Sequence, residues 1–214
     1  MKYTHVIWDF NGTILDDVQT GIESVNTLLK ERGLPIIENV KEYHKVFGFP
    51  IIDYYRRLGF DFEKEPYSVI APLWVALYLE NVKRAPIFPD VKEMLEKFKK
   101  MGLSQIILSA TEHQMLTAQL DDLKIRHFFD EILGLDNIHA ESKVELGRSW
   151  LRQNPGAVPV MIGDTVHDAE VAGEIGADCI LVARGHQSRE TLMGEGRVVA
   201  DDLFEAFEII KNAK

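Results

Sequence analysis

Short polar clusters stand at the ends of apolar runs along this 214-residue chain, and their residue types allow chemistry. The stretch "WDFNGTIL" ends an apolar run on Asp9, with Asn11, Gly12 and Thr13 in the turn that follows. A second run delivers Ser109, Ala110 and Thr111, and a third delivers Gly163, Asp164 and Thr165, with Asp168 further on in "GDTVHDAEVAG". Lys143 stands at the start of an amphipathic stretch between those two. Carboxylates such as Asp9 and Asp164 suit a hard cation that takes oxygen ligands, Mg²⁺ among them. A carboxylate is also one of the side chains that can act as a nucleophile and form a covalent intermediate. Each residue has a plainer reading too. Asp9 and Thr13 fit a strand-end turn, Ser109, Asp164 and Asp168 fit turns or helix caps, and Lys143 fits a solvated helix face.

These residues need elements to bring them together. "HVIWDF" (5–10), "SQIILSA" (104–110), "VPVMIGD" (158–164), "DCILVA" (178–183) and "RVVA" (197–200) are short, nearly continuous apolar runs. Strands of a parallel sheet covered on both faces have this pattern. Helical periods alternate with them. "DVKEMLEKFKKMG" (90–102) puts Val91, Met94, Leu95 and Phe98 on one face and ends at Gly102, "EHQMLTAQLDDL" (112–123) behaves similarly, and Ser142 is placed to cap the helix over 142–154. The alternation predicts an α/β class, with a doubly wound, mostly parallel sheet. In such sheets ligands bind beyond the carboxyl ends of the strands, where all the polar residues above would face one crevice. From about 17 to 84 the periods are helical only, which predicts a small all-helical unit inserted after the first strand.

The order D-x-x-G-T, a strand-end Ser, a Lys and G-D-T-x-x-D resembles the haloacid dehalogenase (HAD) superfamily, and the resemblance covers essentially the whole chain. The layout is similar to phosphoglycolate phosphatase-like members with a C1-type helical cap. It implies a Rossmann-like core over 1–15 and 85–214 and a cap over 16–84. It implies a phosphatase in which Asp9 is the nucleophile, Mg²⁺ is held by Asp9, Asp164 and the main-chain carbonyl of Asn11, and Lys143 neutralises the phosphoryl oxygens. Thr13, Ser109 and Ala110 would bind the phosphate with Lys143, while Gly12, Thr165 and Asp168 would support the site. The substrate implied is a small phosphorylated, phosphoglycolate-like metabolite.

Asn11 departs from that pattern, since similar phosphatases hold an aspartate there to protonate the leaving oxygen and then activate water. An amide cannot exchange that proton, and general acid–base catalysis contributes roughly 10²–10⁴-fold. Three outcomes follow: a slow phosphatase, or one helped by His44 or His113; a different chemistry of the superfamily, although the dehalogenase pattern carries an aromatic residue here and the phosphonatase pattern a small one with a cap lysine; or a regulatory protein that binds phosphate ligands without turnover. A phosphosugar mutase-like transferase is a competing activity class. The Asn11–Gly12 pair is also a deamidation site, which would turn position 11 into aspartate in a fraction of molecules.

Hydrophobic residues make up 46% and charged residues 27% of the chain, an ordinary globular balance. A formal net charge of -10 argues against nucleic acid and anionic membrane as partners. No apolar run approaches the ~18 residues that span a bilayer. No signal-peptide pattern opens the chain, so a cytoplasmic monomer or homodimer is expected. Cys179 lies in an apolar run and reads as a buried, inert thiol. In the insertion, "HKVFGFPIIDYYRRLGF" (44–60) offers His44, Lys45, Arg56 and Arg57 to an anionic substrate, and Val69, Ile70, Leu73, Trp74, Leu77 and Leu79 read as its core. Arg184 and His186 follow a later strand and sit near the crevice by topology.

Overall fold

The computed structural model describes residues 2–135 and 142–214. Six parallel strands form one sheet: β1 (His5–Trp8), β2 (Ser104–Glu112), β3 (Glu131–Leu135), β4 (Pro159–Gly163), β5 (Asp178–Val182) and β6 (Val198–Ala200). Their spatial order is β3-β2-β1-β4-β5-β6. The first strand is therefore central, paired with β2 on one side and β4 on the other. Crossovers leave in opposite directions from this point, which opens a crevice at the carboxyl ends of β1 and β4.

Alternation along β1 sends Val6 and Trp8 to one face and Ile7 to the other. Trp8 and its neighbours pack against α5 (Val91–Lys100) and, beyond it, α10 (Leu203–Asn212), with Trp8 edge-on to Phe98 at 5.5 Å. Ile7 and Met161 pack against α7 (Lys143–Gln153) and α8 (Val166–Ile175). Both faces are covered, so the strands read as continuous apolar runs rather than alternating ones. The expected apolar face of α5 is buried in full. Cys179 is buried on β5, where burial pushes its thiol up to about 12.

Two details differ from the sequence expectation. β3 was not among the expected strands. It is an edge strand, mostly half-exposed, and only its pairing with β2 defines it. β2 also runs on to Glu112, with an irregularity between Leu108 and Glu112, so Thr111 is part of the strand end.

Between β1 and α5 lie α1 (Val18–Glu31), α2 (Val40–Val46), α3 (Ile51–Arg57) and α4 (Tyr67–Asn81). They share a core of their own that includes Val25, Leu28, Leu29, Tyr43, Tyr55 and Ile70. Ile70 is fully buried in it, and Trp74 and Leu77 pack on it. Val69 and Leu73, expected in that core, are 47% and 42% exposed instead. They sit one residue to the side of Ile70 and Trp74, and the 100° step of a helix turns them outward. α6 (His113–Asp122) and α9 (Arg189–Met193) complete the α-helices among the described residues. None is long and apolar enough to cross a membrane.

Candidate active site

Asp9 follows directly on β1, where its N–H donates to the Ile162 carbonyl of β4 at 2.9 Å. Asp164 follows β4 in the same way, so the two central strands deliver two carboxylates to the crevice. Lys143 is the first residue of α7, whose start is fixed by a capping box: Ser142 caps the helix and Glu145 reaches back to the Ser142 N–H at 2.9 Å. Its Nζ lies 2.6 Å from both Asp9 Oδ1 and Asp168 Oδ1. Asp168, in the first turn of α8, accepts on its other oxygen from the N–H groups of Thr165 and Asp164 and from the Thr165 hydroxyl. Asp164 accepts from the Thr13 hydroxyl at 3.0 Å and from the His186 N–H at 2.6 Å.

Ligand oxygens of Asp9, Asp164 and Asp168 lie within 4.8 Å of one another, and all three residues are buried. One lysine does not balance three carboxylates in a dry site. Burial first, then the charge of Asp168, raises the Asp9 carboxyl to about 8 in spite of Lys143. Burial also raises Asp164 to about 6, despite the His186 ring nearby. Burial opposes the charge on Lys143, but the carboxylates of Asp168 and Asp9 outweigh it and raise its pKa. Such a cluster calls for another positive charge, and a small hard cation fits its oxygen donors.

Gly12 has φ +71°, and a Cβ there would stand 2.2 Å from Asp164 Oδ2 and 2.6 Å from the His186 ring. A Cβ on Gly185 would stand 2.0 Å from the same oxygen. Two loops thus approach Asp164 as closely as backbone allows, and both positions require glycine.

Ser109 is buried on β2 and exchanges hydrogen bonds with Thr111. Thr111 Oγ1 in turn donates to Asn11 Oδ1 at 3.1 Å, so this strand end meets the turn after β1. Ala110, next to Ser109, is exposed. His44, on α2, is half-buried, and its Nε2 lies 2.9 Å from the Gly185 carbonyl. Arg56 is exposed and paired with Asp53, and Arg57 donates to the Val46 carbonyl. His113 is exposed at the start of α6. Among the described residues no hydrogen bond ties Arg56 or His113 to the cluster. Arg184 is not a free cation either, because it forks onto Asp90 at 2.6 and 2.7 Å and donates to the Thr13 carbonyl at 2.7 Å.

Sequence reasoning overlooked Asp17, Tyr43 and Tyr78. Asp17, just before α1, is buried and accepts from the Gly12 N–H, the Asn11 amide and the Tyr78 hydroxyl, with His186 Nε2 at 3.3 Å. Burial alone would raise its carboxyl, but the adjacent His186 and the donors from Tyr78 and Asn11 hold it below the usual range. Tyr43 Oη meets His186 Nδ1 at 2.8 Å. His186 had a topological signal, since it follows a strand end. Asp17 and the two tyrosines had none, because they lie within helical periods.

The chain belongs to the haloacid dehalogenase-like hydrolase family, whose profile it matches over residues 6–182. The phosphoglycolate phosphatase of Pseudomonas savastanoi pv. phaseolicola is 24% identical over 211 residues, covering 92% of this chain and 76% of that protein. The phosphoglycolate phosphatase of Synechococcus elongatus is 24% identical over 200 residues, covering 88% and 87%. In fold, the chain resembles a haloacid dehalogenase-like family hydrolase from Streptococcus pneumoniae, with a TM-score of 0.77 at 21% identity over 98% of this chain and 99% of that one.

Proposed function

We propose that this chain is a Mg²⁺-dependent phosphomonoester hydrolase that acts on a small phosphorylated metabolite in the cytoplasm through an aspartyl-phosphate. The observation that carries the reading is the buried cluster of Asp9, Asp164 and Asp168 with Lys143 at 2.6 Å from two of them. The helical insertion, 16–84, is proposed as the cap over a core made of 1–15 and 85–214. A phosphoglycolate-like substrate is favoured by the names of the relatives.

In this reading Asp9 attacks the phosphorus. Its carboxylate forms the new P–O bond, and the leaving oxygen departs with the electron pair of the old one and takes up a proton. Water then attacks the same phosphorus and passes a proton to solvent, the P–O bond to Asp9 breaks, and inorganic phosphate leaves with Asp9 again a carboxylate. Lys143 offsets the negative charge on Asp9 and on the phosphoryl oxygens as they approach. The Ser109 hydroxyl and the main-chain N–H groups at Thr13 and Ala110 donate to those oxygens. Asp168 holds Lys143 in place, because both its oxygens are already committed to Lys143, Thr165 and Asp164. Asp9, Asp164 and the main-chain carbonyl of Asn11 would hold Mg²⁺, which when bound screens two anions from each other and polarises the phosphoryl group.

The test is turnover of a generic aryl phosphate. Activity should vanish in chelator, return with Mg²⁺, be absent in Asp9→Ala and fall roughly 10²–10³-fold in Lys143→Ala. Phosphate or vanadate binding without turnover would mean a binding protein instead, and turnover only with a sugar bisphosphate primer would mean a mutase.

A further inference from the structure

The side chain of Asn11 has each of its donors committed. One N–H donates to Asp17 Oδ2 at 3.0 Å, the other to Tyr78 Oη at 2.7 Å, and its carbonyl accepts from Thr111 Oγ1 at 3.1 Å. The Tyr78 hydroxyl donates onward to the same Asp17 oxygen. Tyr78 belongs to α4 of the insertion, whereas Asn11 belongs to the turn that carries Asp9. Asp17 stands between them, immediately before α1.

We propose that Asn11, Asp17 and Tyr78 form a latch between the helical insertion and the turn after β1, in which the amide at position 11 is the complement of the Asp17 carboxylate. Asp17 and Tyr78 are then positioning residues for the phosphoryl site, a statement that rests on the hydrolase reading above. Three hydrogens are donated within this ring, one to Tyr78 Oη and two to Asp17 Oδ2. A carboxylate at position 11 would remove both N–H donors and set two anions one hydrogen bond apart in a buried site. Asn11 is therefore matched to Asp17, and its presence is not simply the loss of an acid–base group. Two further contacts from α2 grip the second loop at Asp164, namely Tyr43 on His186 and His44 on the Gly185 carbonyl. The insertion thus holds both loops that converge on Asp164, and opening it frees both.

The experiment is a charge exchange. Asn11→Asp, Asp17→Asn, the double variant and Tyr78→Phe are compared with wild type for kcat and KM on an aryl phosphate with Mg²⁺, and for thermal midpoint. Each single change at 11 or 17 should lower the midpoint and reduce kcat about tenfold, the scale of one lost charge-assisted hydrogen bond. The double variant restores one donor facing one acceptor, so midpoint and kcat should return to within about threefold of wild type, a non-additive result. Tyr78→Phe should lower kcat about tenfold with KM changed less than about threefold, whereas a Tyr78 that merely packs would leave kcat alone. Additive losses in the double variant would overturn the latch. So would a gain of roughly two decades in Asn11→Asp at an unchanged midpoint, the size expected of a restored acid–base group. If none of the proteins turns over a phosphomonoester, the hydrolase reading fails, and the coupling in the midpoint alone decides for or against the latch.

Discussion

Gly12 governs the fate of the amide beside it. Its N–H donates to the Leu15 carbonyl at 2.9 Å and to Asp17 Oδ1 at 2.8 Å. Deamidation needs that nitrogen to attack the Asn11 side chain, whose carbonyl is itself held by Thr111. The Asn11–Gly12 pair invites the reaction in sequence, and the fold opposes it. Peptide mass mapping after long incubation at mildly alkaline pH should find Asn11 intact in native protein and converted in the unfolded chain. Aspartate at position 11 in native protein would refute this. Lys143 carries a second prediction at this scale. Its replacement by Met leaves Asp9 and Asp168 buried without their cation. In chelator the change should cost about 3–5 kcal/mol in urea unfolding, the usual result of removing one partner from a buried pair. A cost under about 1 kcal/mol would mean that the carboxylates are neutralised some other way.

Among the elements, α4 separates pattern from packing. "YSVIAPLWVALYLEN" is apolar nearly all round, so periodicity cannot say which side faces inward. The core of the insertion selects Ile70, Trp74 and Leu77, and leaves Val69, Leu73 and Val75 exposed. Ile70→Ala should therefore cost about 2–5 kcal/mol in the unfolding free energy. Leu73→Ala should stay within about 0.5 kcal/mol, and equal costs would contradict this orientation of the helix. The helices of the core were legible for the opposite reason. In α5 the apolar residues all fall on one face and lysines line the end, so pattern and burial agree. β3 was illegible because an edge strand is only partly buried and lacks the continuous apolar run of its neighbours.

At the scale of the molecule, the switch in strand order at β1 brings together residues that are far apart in the chain. Asp9 and Lys143 are 134 positions apart, and Thr13 and Asp164 are 151 apart. Their convergence leaves more negative charge than Lys143 offsets, in a chain whose net charge is already -10. A cation bound there binds only the folded state, so Mg²⁺ should raise the thermal midpoint. The gain approaches about 2.7 kcal/mol at a hundredfold excess over Kd. Asp164→Asn should abolish that gain, and an undiminished gain would place the ion elsewhere.

The class, and the positions whose side chains meet in the buried acidic cluster, were readable in the sequence, because apolar periodicity, turn residues and helix caps are properties of a few neighbouring residues. Asp9, Asp164, Asp168 and Lys143 announce themselves that way, each at the end of an apolar run or the start of a helix. The surroundings of Asn11 do not. Asp17 and Tyr78 bond it across the boundary between the core and the insertion, 61 positions apart from each other, and no local pattern encodes a hydrogen bond of that span. The departure at position 11 is visible in one letter, but the tyrosine that completes its hydrogen bonds lies 67 positions away and reaches it only through the packing of α4 against the first turn.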